Sequence, residues 1–269
     1  MCAICGCDDH LEHVHADGTR HRHAHPHEAH HHEPHHHEHV ELEARVLAKN
    51  DALAGENAAW LERHGVVALN LMGAPGCGKT SLLERTIRAL EPGSLAVIEG
   101  DQATANDAER IRAAGAAVVQ VNTGTGCHLD AVMVARALAE LAPRPRSLVA
   151  IENVGNLVCP ALFRLGEHRR VVVLSVAEGD DKPLKYPHMF RAADLVLINK
   201  IDLLAHVDFD VERAIGNARA VNPGVQALRV SARSGDGLEA WYRWLRLEGL
   251  RDRAERRVED PGHATRVER

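Results

Sequence analysis

The sequence predicts an α/β protein in which a mainly parallel β-sheet carries helices on both faces. Seven short apolar runs alternate with stretches of helical spacing, such as residues 130–141 and 211–221. This alternation is typical of parallel strands joined by helices, since such strands are buried on both faces and read as continuous apolar runs. Hydrophobic residues make up 45% of the 269 residues and aromatic residues only 3%. Alanine, valine and leucine must therefore fill the predicted core.

The length suits one folded domain with a tail at each end. Residues 1–40 are crowded with cysteine and histidine, and we expect them to form a disordered metal-binding tail. The folded domain is predicted over 41–250, with a leading helix at 41–64 and a closing helix at 238–250, and the charge-dense residues 251–269 form the second tail. The net charge of −6 gives no reason to propose nucleic-acid binding. The apolar runs are of strand length and are interrupted by charges, so no transmembrane helix is expected.

A phosphate-binding loop follows the first predicted strand. Residues 73–80 read GAPGCGKT, a full match to G-x-x-x-x-G-K-[ST], and lie between an apolar run and a stretch of helical spacing. In such a loop the glycines let backbone N–H groups turn towards phosphate oxygens, the lysine adds a charge near the β- and γ-phosphates, and the hydroxyl suits Mg²⁺. Cys77 falls at a variable position, where we expect packing rather than metal binding. The residues expected to hold the phosphates are Gly76, Cys77, Gly78, Lys79, Thr80 and Ser81, of which Lys79 is also expected to be catalytic.

An Asn-Lys-x-Asp sequence at the end of a later apolar run, 195–202, indicates which base is bound. In guanine-nucleotide enzymes, which this pattern resembles, the aspartate accepts hydrogen bonds from the guanine N1–H and 2-amino groups, a donor pair that adenine lacks. The sequence VSAR at 230–233 resembles the final guanine-contacting loop, with arginine where lysine is common. The residues expected to bind the base are Asn199, Lys200, Asp202, Ser231 and Ala232.

Two other apolar runs end in carboxylates, and these complete the predicted Mg²⁺ and hydrolysis site. Asp101 follows the run 95–98, and Glu152 follows 148–151. Both would lie where open α/β sheets bind ligands, at the carboxyl ends of the strands. We expect both side chains to act in Mg²⁺ binding and catalysis, together with the Thr80 hydroxyl, and Gly155 to offer a backbone N–H to the γ-phosphate.

The extreme N-terminus predicts a metal site of its own. Cys2, Cys5 and Cys7 form a C-x-x-C-x-C cluster in a chain with only six cysteines. Three thiols so close together can converge on one soft or borderline cation. No hydrophobic signal segment precedes them, and phosphate-loop enzymes work inside cells, so a disulfide is disfavoured. An amine from a processed N-terminus as fourth ligand would favour Ni²⁺, whereas a histidine would equally suit Zn²⁺.

A histidine tract follows, in which fourteen of the thirty residues 10–39 are histidine. No apolar periodicity survives there, so the segment has no core to fold around. Imidazole binds Ni²⁺, Cu²⁺ and Zn²⁺ when neutral, and we interpret the tract as a many-site metal reservoir. A purification tag is the alternative, and the interrupting acidic, proline and arginine residues argue against it.

Further candidate ligands lie inside the predicted nucleotide domain, at the adjacent pair Cys127-His128 and at Cys159. The sequence spacing does not join them into one site. A lone buried cysteine is more often a packing residue than a ligand.

Several motifs that occur in order give the chain a family resemblance. They are NLM before the phosphate loop, EGDQAT at 99–104, GCHLD at 126–130, ENVGNLVCP at 152–160 and EGDDKPLKYP at 178–187. Together they closely resemble the HypB family of hydrogenase nickel-incorporation GTPases, over residues 41–250 and through the N-terminal cysteines. Urease-type GTPases are the nearest confusable group, but they carry a Cys-Pro-His metal motif that is replaced here by GCH and CP.

The resemblance implies a three-layer, SIMIBI-like P-loop GTPase domain and a cytoplasmic protein. It also implies a second metal site made of Cys127, His128 and Cys159 near a GTP-dependent homodimer interface. The implied partners are a HypA-type nickel-delivery protein and the large subunit of a [NiFe]-hydrogenase. GTP or GDP, Mg²⁺, Ni²⁺ and Zn²⁺ are the expected ligands.

The leading hypothesis is thus a GTP-hydrolysing nickel metallochaperone that acts in [NiFe]-hydrogenase maturation. A nickel or zinc storage protein with a regulatory nucleotide domain is one alternative, and a urease-type or zinc-delivering GTPase is another. Metal-dependent GTP turnover separates the first two, and the metal content of purified protein addresses the third.

Overall fold

The computed structural model describes the backbone of residues 13–14, 20–21, 34–101, 106–124 and 126–247, and side chains within these ranges from residue 44 onward. The chain divides into two compact units, residues 1–48 and 49–269. In the first unit, the two-residue strands β1 (His13–Val14) and β2 (Arg20–His21) pair antiparallel. The predicted tail ligands Cys2, Cys5 and Cys7 lie outside the described residues, as do 251–269.

The leading helix α1 spans Pro34–His64 and so begins seven residues before the expected start at 41. Proline is well tolerated in the first turn of a helix, because the N–H that it lacks has no partner within the helix there. The helix ends at His64, and the next residue, Gly65, has a φ of 66°, in the left-handed region.

A seven-stranded sheet forms the centre of the second unit, and every neighbouring pair of its strands is parallel. The order across the sheet is β5-β4-β6-β3-β7-β8-β9. The strands are β3 (Val67–Met72), β4 (Leu95–Asp101), β5 (Val118–Asn122), β6 (Leu148–Glu152), β7 (Arg169–Ser175), β8 (Leu195–Asn199) and β9 (Gln226–Arg229). This arrangement confirms the predicted α/β class with a parallel sheet.

Helices connect the strands and cover both faces of the sheet. They are α2 (Lys79–Ala89), α3 (Asn106–Ala114), α4 (Ala131–Leu141), α5 (Cys159–Leu162), α6 (Lys182–Lys185), α7 (Pro187–Arg191), α8 (Val211–Val221) and α9 (238–247), with a 3₁₀ helix at Ile201–His206. Alternate residues of a strand face opposite sides, so Val171 and Val173 of β7 pack with α2 and α9, whereas Val172 and Leu174 pack with α7 and α8. Helices α1 and α4 cover the rest of the second face.

Aliphatic residues fill most of the core, as the composition predicted, and among the described residues the largest fully buried side chain is Trp241 of α9. Its indole N–H donates to the Thr86 hydroxyl of α2 at 2.9 Å, which satisfies a polar group that would otherwise be costly to bury. Among the described helices, none is both long enough and apolar enough to cross a membrane.

Candidate nucleotide and metal sites

A cleft of about 420 Å³ opens at the carboxyl ends of β3, β4 and β6. Open α/β sheets place their ligand sites at this edge. The lining combines the phosphate loop, the strand-end carboxylates and the start of α3: Pro75, Gly76, Gly78, Lys79, Thr80, Ser81, Glu99, Gly100, Asp101, Asp107, Arg110, Glu152, Asn153, Val154, Gly155 and Lys200.

The loop between β3 and α2 has a shape that requires glycine at two positions. Gly73 and Gly78 have φ of 152° and 101°. A Cβ at Gly73 would meet the Val173 carbonyl oxygen at 2.4 Å, and one at Gly78 would meet the Asn199 amide nitrogen at 2.4 Å. The loop therefore closes tightly over β7 and β8 and leads directly into α2, whose N-terminal N–H groups face the cleft as an anion site.

Lys79 opens α2 and is buried. Its ammonium lies 3.4 Å from the carbonyl oxygens of both Gly73 and Ala74. Cys77 is also buried, and desolvation raises the pKa of its thiol above the usual range. A neutral, enclosed thiol is a packing residue, as the sequence suggested for this position.

Two strand-end carboxylates, one from β4 and one from β6, line the cleft together with the loop. The Thr80 hydroxyl donates to Glu152 Oε1 at 2.8 Å, while the buried Glu152 Oε2 has no partner among the described residues. Burial is the main cause that raises the pKa of Glu152 to about 7, against the lowering effect of Lys79. Asp101 ends β4 and lines the same cleft, half-buried. The cleft thus holds carboxylate oxygens ready for a cation beside the threonine hydroxyl.

Sequence reasoning missed a third acidic side chain, Glu99. It pairs in register with Glu152 across β4 and β6, is 2% exposed and lines the cleft. Burial, and then the charge of Glu152, raise its pKa to about 8. The sequence pattern that could have identified Glu99 is the two-residue period of a strand, which puts Glu99 on the same face as Asp101.

Helix α3 also brings a cation to the cleft that the sequence did not single out. The guanidinium of Arg110 donates to Glu84 at 2.7 Å, to Asp107 at 2.9 Å and to the Ser81 hydroxyl at 3.0 Å. It therefore ties α3 to the first turns of α2 at the rim of the cleft.

The predicted base-binding residues assemble at the ends of β8 and β9. The Asn199 amide donates to the Cys77 carbonyl at 2.8 Å and accepts from the Ala232 N–H at 3.2 Å. Lys200, at φ 63°, donates to the Gly76 carbonyl at 2.7 Å. The phosphate loop and the loops predicted to bind the base are thereby joined directly.

The other half of this region is held by Ser231. Its hydroxyl donates to Asp202 at 2.5 Å and accepts from the Ser234 N–H at 3.0 Å. Arg85 of α2, which the sequence did not indicate, donates to the carbonyl oxygens of Ala232 and Arg233 at 2.9 and 2.6 Å. The side chain of Asp202 is thus oriented by a loop that is itself braced against the phosphate helix.

Gly155 lies where the chain leaves β6 and passes over the phosphate loop. A Cβ there would meet Pro75 Cα at 2.8 Å. The next residue, Asn156, donates its backbone N–H to the Gly73 carbonyl at 3.1 Å. The segment that leads to Cys159 is therefore in direct contact with the phosphate loop.

The structure brings together the ligands that the sequence could not join. One ligand atom each of Cys127, His128 and Cys159 lies within 4.8 Å of the others, and the two sulfur atoms are 2.8 Å apart as thiols. The His128 ring stacks on Phe163 at 3.9 Å between centroids. Burial lowers the pKa of His128, opposed by Asp130, which favours the neutral imidazole that metals require. The cluster has the thiolate and imidazole donors suited to zinc, nickel or copper.

This sheet, its phosphate loop and the cleft at the strand ends define a P-loop nucleotide-binding protein with a thiol and imidazole cluster beside its nucleotide site. The nucleotide-binding domain model of the CobW/HypB/UreG family matches residues 67–229. The hydrogenase maturation factor HypB of Rhizobium leguminosarum bv. viciae is 59% identical over 213 residues, which cover 79% of this chain and 71% of the relative. HypB of Escherichia coli K12 is 53% identical over 210 residues, covering 78% and 72%.

Solved structures agree with these relatives. HypB from Archaeoglobus fulgidus is 42% identical with a TM-score of 0.70, covering 75% of this chain and 99% of that one. HypB from Helicobacter pylori, crystallised in complex with nickel, is 37% identical with a TM-score of 0.71, covering 76% and 96%. The chain therefore belongs to the CobW/HypB/UreG family and, within it, to the HypB hydrogenase maturation factors. The resemblance drawn from the sequence motifs is confirmed.

Proposed function

We propose that this protein hydrolyses GTP and uses the cycle to deliver nickel during [NiFe]-hydrogenase maturation. The observation that carries the proposal is the placement of one soft-donor cluster beside one phosphate site. Cys127 follows β5 and Cys159 follows β6, so the cluster is built on connections that leave the same edge of the sheet as the cleft. A structural change at the bound nucleotide could therefore be transmitted to the metal ligands through these two connections.

In this proposal the phosphate loop, from Gly76 to Ser81, wraps the phosphates, and Lys79 neutralises charge on the β- and γ-phosphates. Lys79 now contacts two carbonyl oxygens at the long distance of 3.4 Å, so little is lost when it turns to a phosphate. Asp202 would accept from the guanine edge, with Asn199 and Lys200 positioning the ring and Ser231 and Ala232 closing the base site.

The donor set of the cleft also fits Mg²⁺, which prefers oxygen ligands. The buried, unpartnered Glu152 Oε2 is an oxygen that a cation would satisfy. Thr80, Asp101 and Glu152 would hold the ion, which when bound neutralises charge on the transferring phosphoryl group. Asp101 and Glu152 would also orient the attacking water, and the Gly155 N–H would hold the γ-phosphate.

Nickel is the cargo in this scheme, and Cys127, His128 and Cys159 are its site in the folded domain. The nickel complex of the H. pylori relative and the hydrogenase maturation factors among the relatives support nickel as cargo and a hydrogenase large subunit as recipient. Zn²⁺ suits the same donors, so the site would also take zinc. A HypA-type protein would supply nickel, and a GTP-dependent homodimer would form in the cytoplasm.

The N-terminal unit belongs to the same proposal. Cys2, Cys5 and Cys7 would form a second nickel site, and the histidine tract within residues 1–40 would store metal for the domain at 41–250.

The proposal is tested by GTP turnover and nickel binding measured on one preparation. Wild-type protein should release phosphate from GTP with Mg²⁺, and Lys79→Ala should lose that activity while it still binds nickel. In the chain that carries Cys2→Ser, Cys5→Ser and Cys7→Ser, Cys127→Ser and Cys159→Ser should each lower the affinity for the nickel that shows thiolate-to-nickel charge-transfer absorption, while nucleotide still binds. Nickel binding without any GTP turnover would instead favour a metal store with a regulatory nucleotide domain.

A further inference from the structure

Two asparagine side chains are completely enclosed in the core next to the sites described above. Asn70 lies in the middle of β3 and is 0% exposed, and Asn153 follows β6 and is 1% exposed. A buried amide is costly unless its oxygen and nitrogen are both hydrogen-bonded. The hydrogen-bond partners of these two amides therefore show which parts of the structure they hold together.

The partners of Asn153 connect the nucleotide cleft to the metal-binding loop. Its side-chain oxygen accepts from the backbone N–H of Leu129 at 3.2 Å and of Val154 at 3.0 Å. Leu129 directly follows His128, and Asn153 directly follows Glu152. The Asn153 amide thus links Leu129, the neighbour of the proposed nickel ligand His128, to the end of β6, where Glu152 is the proposed Mg²⁺ ligand.

Asn70 fixes which way the Asn153 amide points. The Asn153 side-chain nitrogen donates to Asn70 Oδ1 at 3.3 Å, and the Asn70 nitrogen is 3.4 Å from Glu167 Oε1. Glu167 is held in turn by Arg170 Nε at 2.5 Å and by the Leu165 N–H at 2.7 Å. Because each of these side chains is hydrogen-bonded to the next, rotation of the Asn153 amide would break several buried hydrogen bonds together.

The loop that carries the ligands has a second fastening to the cleft. Leu129 is fully buried, and its side chain packs so closely over β4 that a Cβ at Gly100 would meet it at 2.8 Å. The Thr123 N–H donates to the Asp101 carbonyl at 3.0 Å, and the Thr123 hydroxyl donates to the Gly126 carbonyl at 2.9 Å. Thr123 and Gly126, which precede Cys127-His128, are thus tied to the end of β4, and Leu129, which follows it, is tied to the end of β6.

We propose that Asn153, oriented by Asn70, is the positioning residue that transmits nucleotide state to the Cys127-His128 loop. The inference rests on the proposed function, since it names the joint through which GTP hydrolysis would alter the nickel site. When Glu152 changes its contacts on loss of the γ-phosphate, Asn153 moves with it and pulls Leu129, so His128 shifts relative to Cys159. Packed, bonded elements of this kind switch between discrete arrangements rather than bend continuously.

The molecule provides a matched control in Asn57 of α1. It is also buried, at 5% exposed, and its amide donates to the Ala131 carbonyl at 2.8 Å and to the Leu165 carbonyl at 3.0 Å. It therefore anchors the start of α4, two residues after Leu129, with two bonds and without any bond to the strand ends of the cleft. Asn57→Ala and Asn153→Ala each remove a buried amide, which makes two hydrogen bonds at Asn57 and three at Asn153, and only Asn153→Ala breaks the proposed joint.

The test uses the full chain with Cys2→Ser, Cys5→Ser and Cys7→Ser, titrated with Ni²⁺ in the presence of GDP or of a non-hydrolysable GTP analogue. Thiolate-to-nickel charge-transfer absorption reports the domain site, since histidine-bound nickel lacks it. In this background the two nickel affinities should differ by about 5–150-fold, the usual range for coupled sites. Asn153→Ala should bring the ratio within about twofold of unity, whereas Asn57→Ala should keep the parent ratio.

Asn70→Ala provides a second, independent variant, because it leaves the hydrogen bond between Leu129 and Asn153 but removes the group that orients the Asn153 amide. It should also lower the ratio of the two nickel affinities. A parent ratio of one would refute nucleotide coupling itself, and this inference with it. A coupled parent with an equally coupled Asn153→Ala would refute the inference alone. Equal loss in Asn153→Ala and Asn57→Ala would also overturn it, because the effect would then follow from general destabilisation.

Discussion

Replacement of Asn199 by alanine should lower both stability and nucleotide affinity, because this one side chain joins the phosphate loop to the predicted base-binding loop. Asn199 is 1% exposed, and it bonds the Cys77 carbonyl and the Ala232 N–H, which both belong to buried residues. A buried group that loses its partner costs about 1–3 kcal/mol. Two such groups give a loss of roughly 2–6 kcal/mol in the free energy of unfolding.

Urea unfolding and GDP titration of the same samples provide the assay, with Asn222→Ala as the control. The Asn222 amide contacts three carbonyl oxygens, those of Phe190, Arg191 and Ala193, at 2.8–3.3 Å. It lies at the opposite edge of the sheet, beyond the C-terminus of α8. Asn222→Ala should therefore lose stability but bind GDP as the parent does, whereas Asn199→Ala should bind GDP at least tenfold more weakly, about 1.4 kcal/mol. Equal GDP affinity in Asn199→Ala and Asn222→Ala would refute the joining role of Asn199.

Three further outcomes are expected. Asp202→Asn should lower GTP affinity and raise relative use of xanthosine triphosphate, since the amide offers a donor to the altered base edge, and an unchanged preference in competitive binding would contradict the base assignment. Glu99→Gln should be more stable than the parent at pH 8 but not at pH 4.5. The folded pKa of about 8 lies above the ordinary value, so the folded state holds the extra proton between these limits and loses stability as pH rises through them. Urea unfolding at both pH values checks this, and a parallel pH slope in the variant would contradict it. Deletion of residues 8–39 should remove most of the bound nickel measured by elemental analysis yet leave GTP turnover nearly intact, and undiminished nickel stoichiometry would contradict the reservoir role.

The fold and the phosphate loop could be predicted from sequence because their signals are local. A buried strand, a glycine-rich turn and an amphipathic helix occur consecutively between Val67 and Ala89, and each has its own periodicity. The carboxylates at the strand ends could be predicted in the same way, because parallel strands bring their carboxyl ends to one edge of the sheet. Glu99 shows the limit of that reasoning. Glu99 and Asp101 lie on the same face of one strand, but the sequence singled out only Asp101 as a site residue.

The cluster of Cys127, His128 and Cys159 and the buried amides depend on contacts between residues distant in sequence. Cys127 and Cys159 are 32 residues apart, and only the order β5-β4-β6 brings their loops together. Asn70 and Asn153 read as ordinary polar residues in or beside apolar strands, and their role emerges from a bond across 83 residues. The early start of helix α1 could not be predicted, because the histidine-rich stretch has no apolar periodicity that would mark where a helix begins.

The central claim is that GTP hydrolysis acts on the nickel held by Cys127, His128 and Cys159. The most direct measurement follows phosphate release and loss of thiolate-to-nickel absorption together, after GTP and a nickel chelator are mixed with the nickel-loaded full chain carrying the three N-terminal Cys→Ser substitutions. The account predicts that both signals change with the same rate constant, and that Lys79→Ala slows both. Nickel loss that proceeds at one rate with GTP, with GDP and with no nucleotide would contradict it.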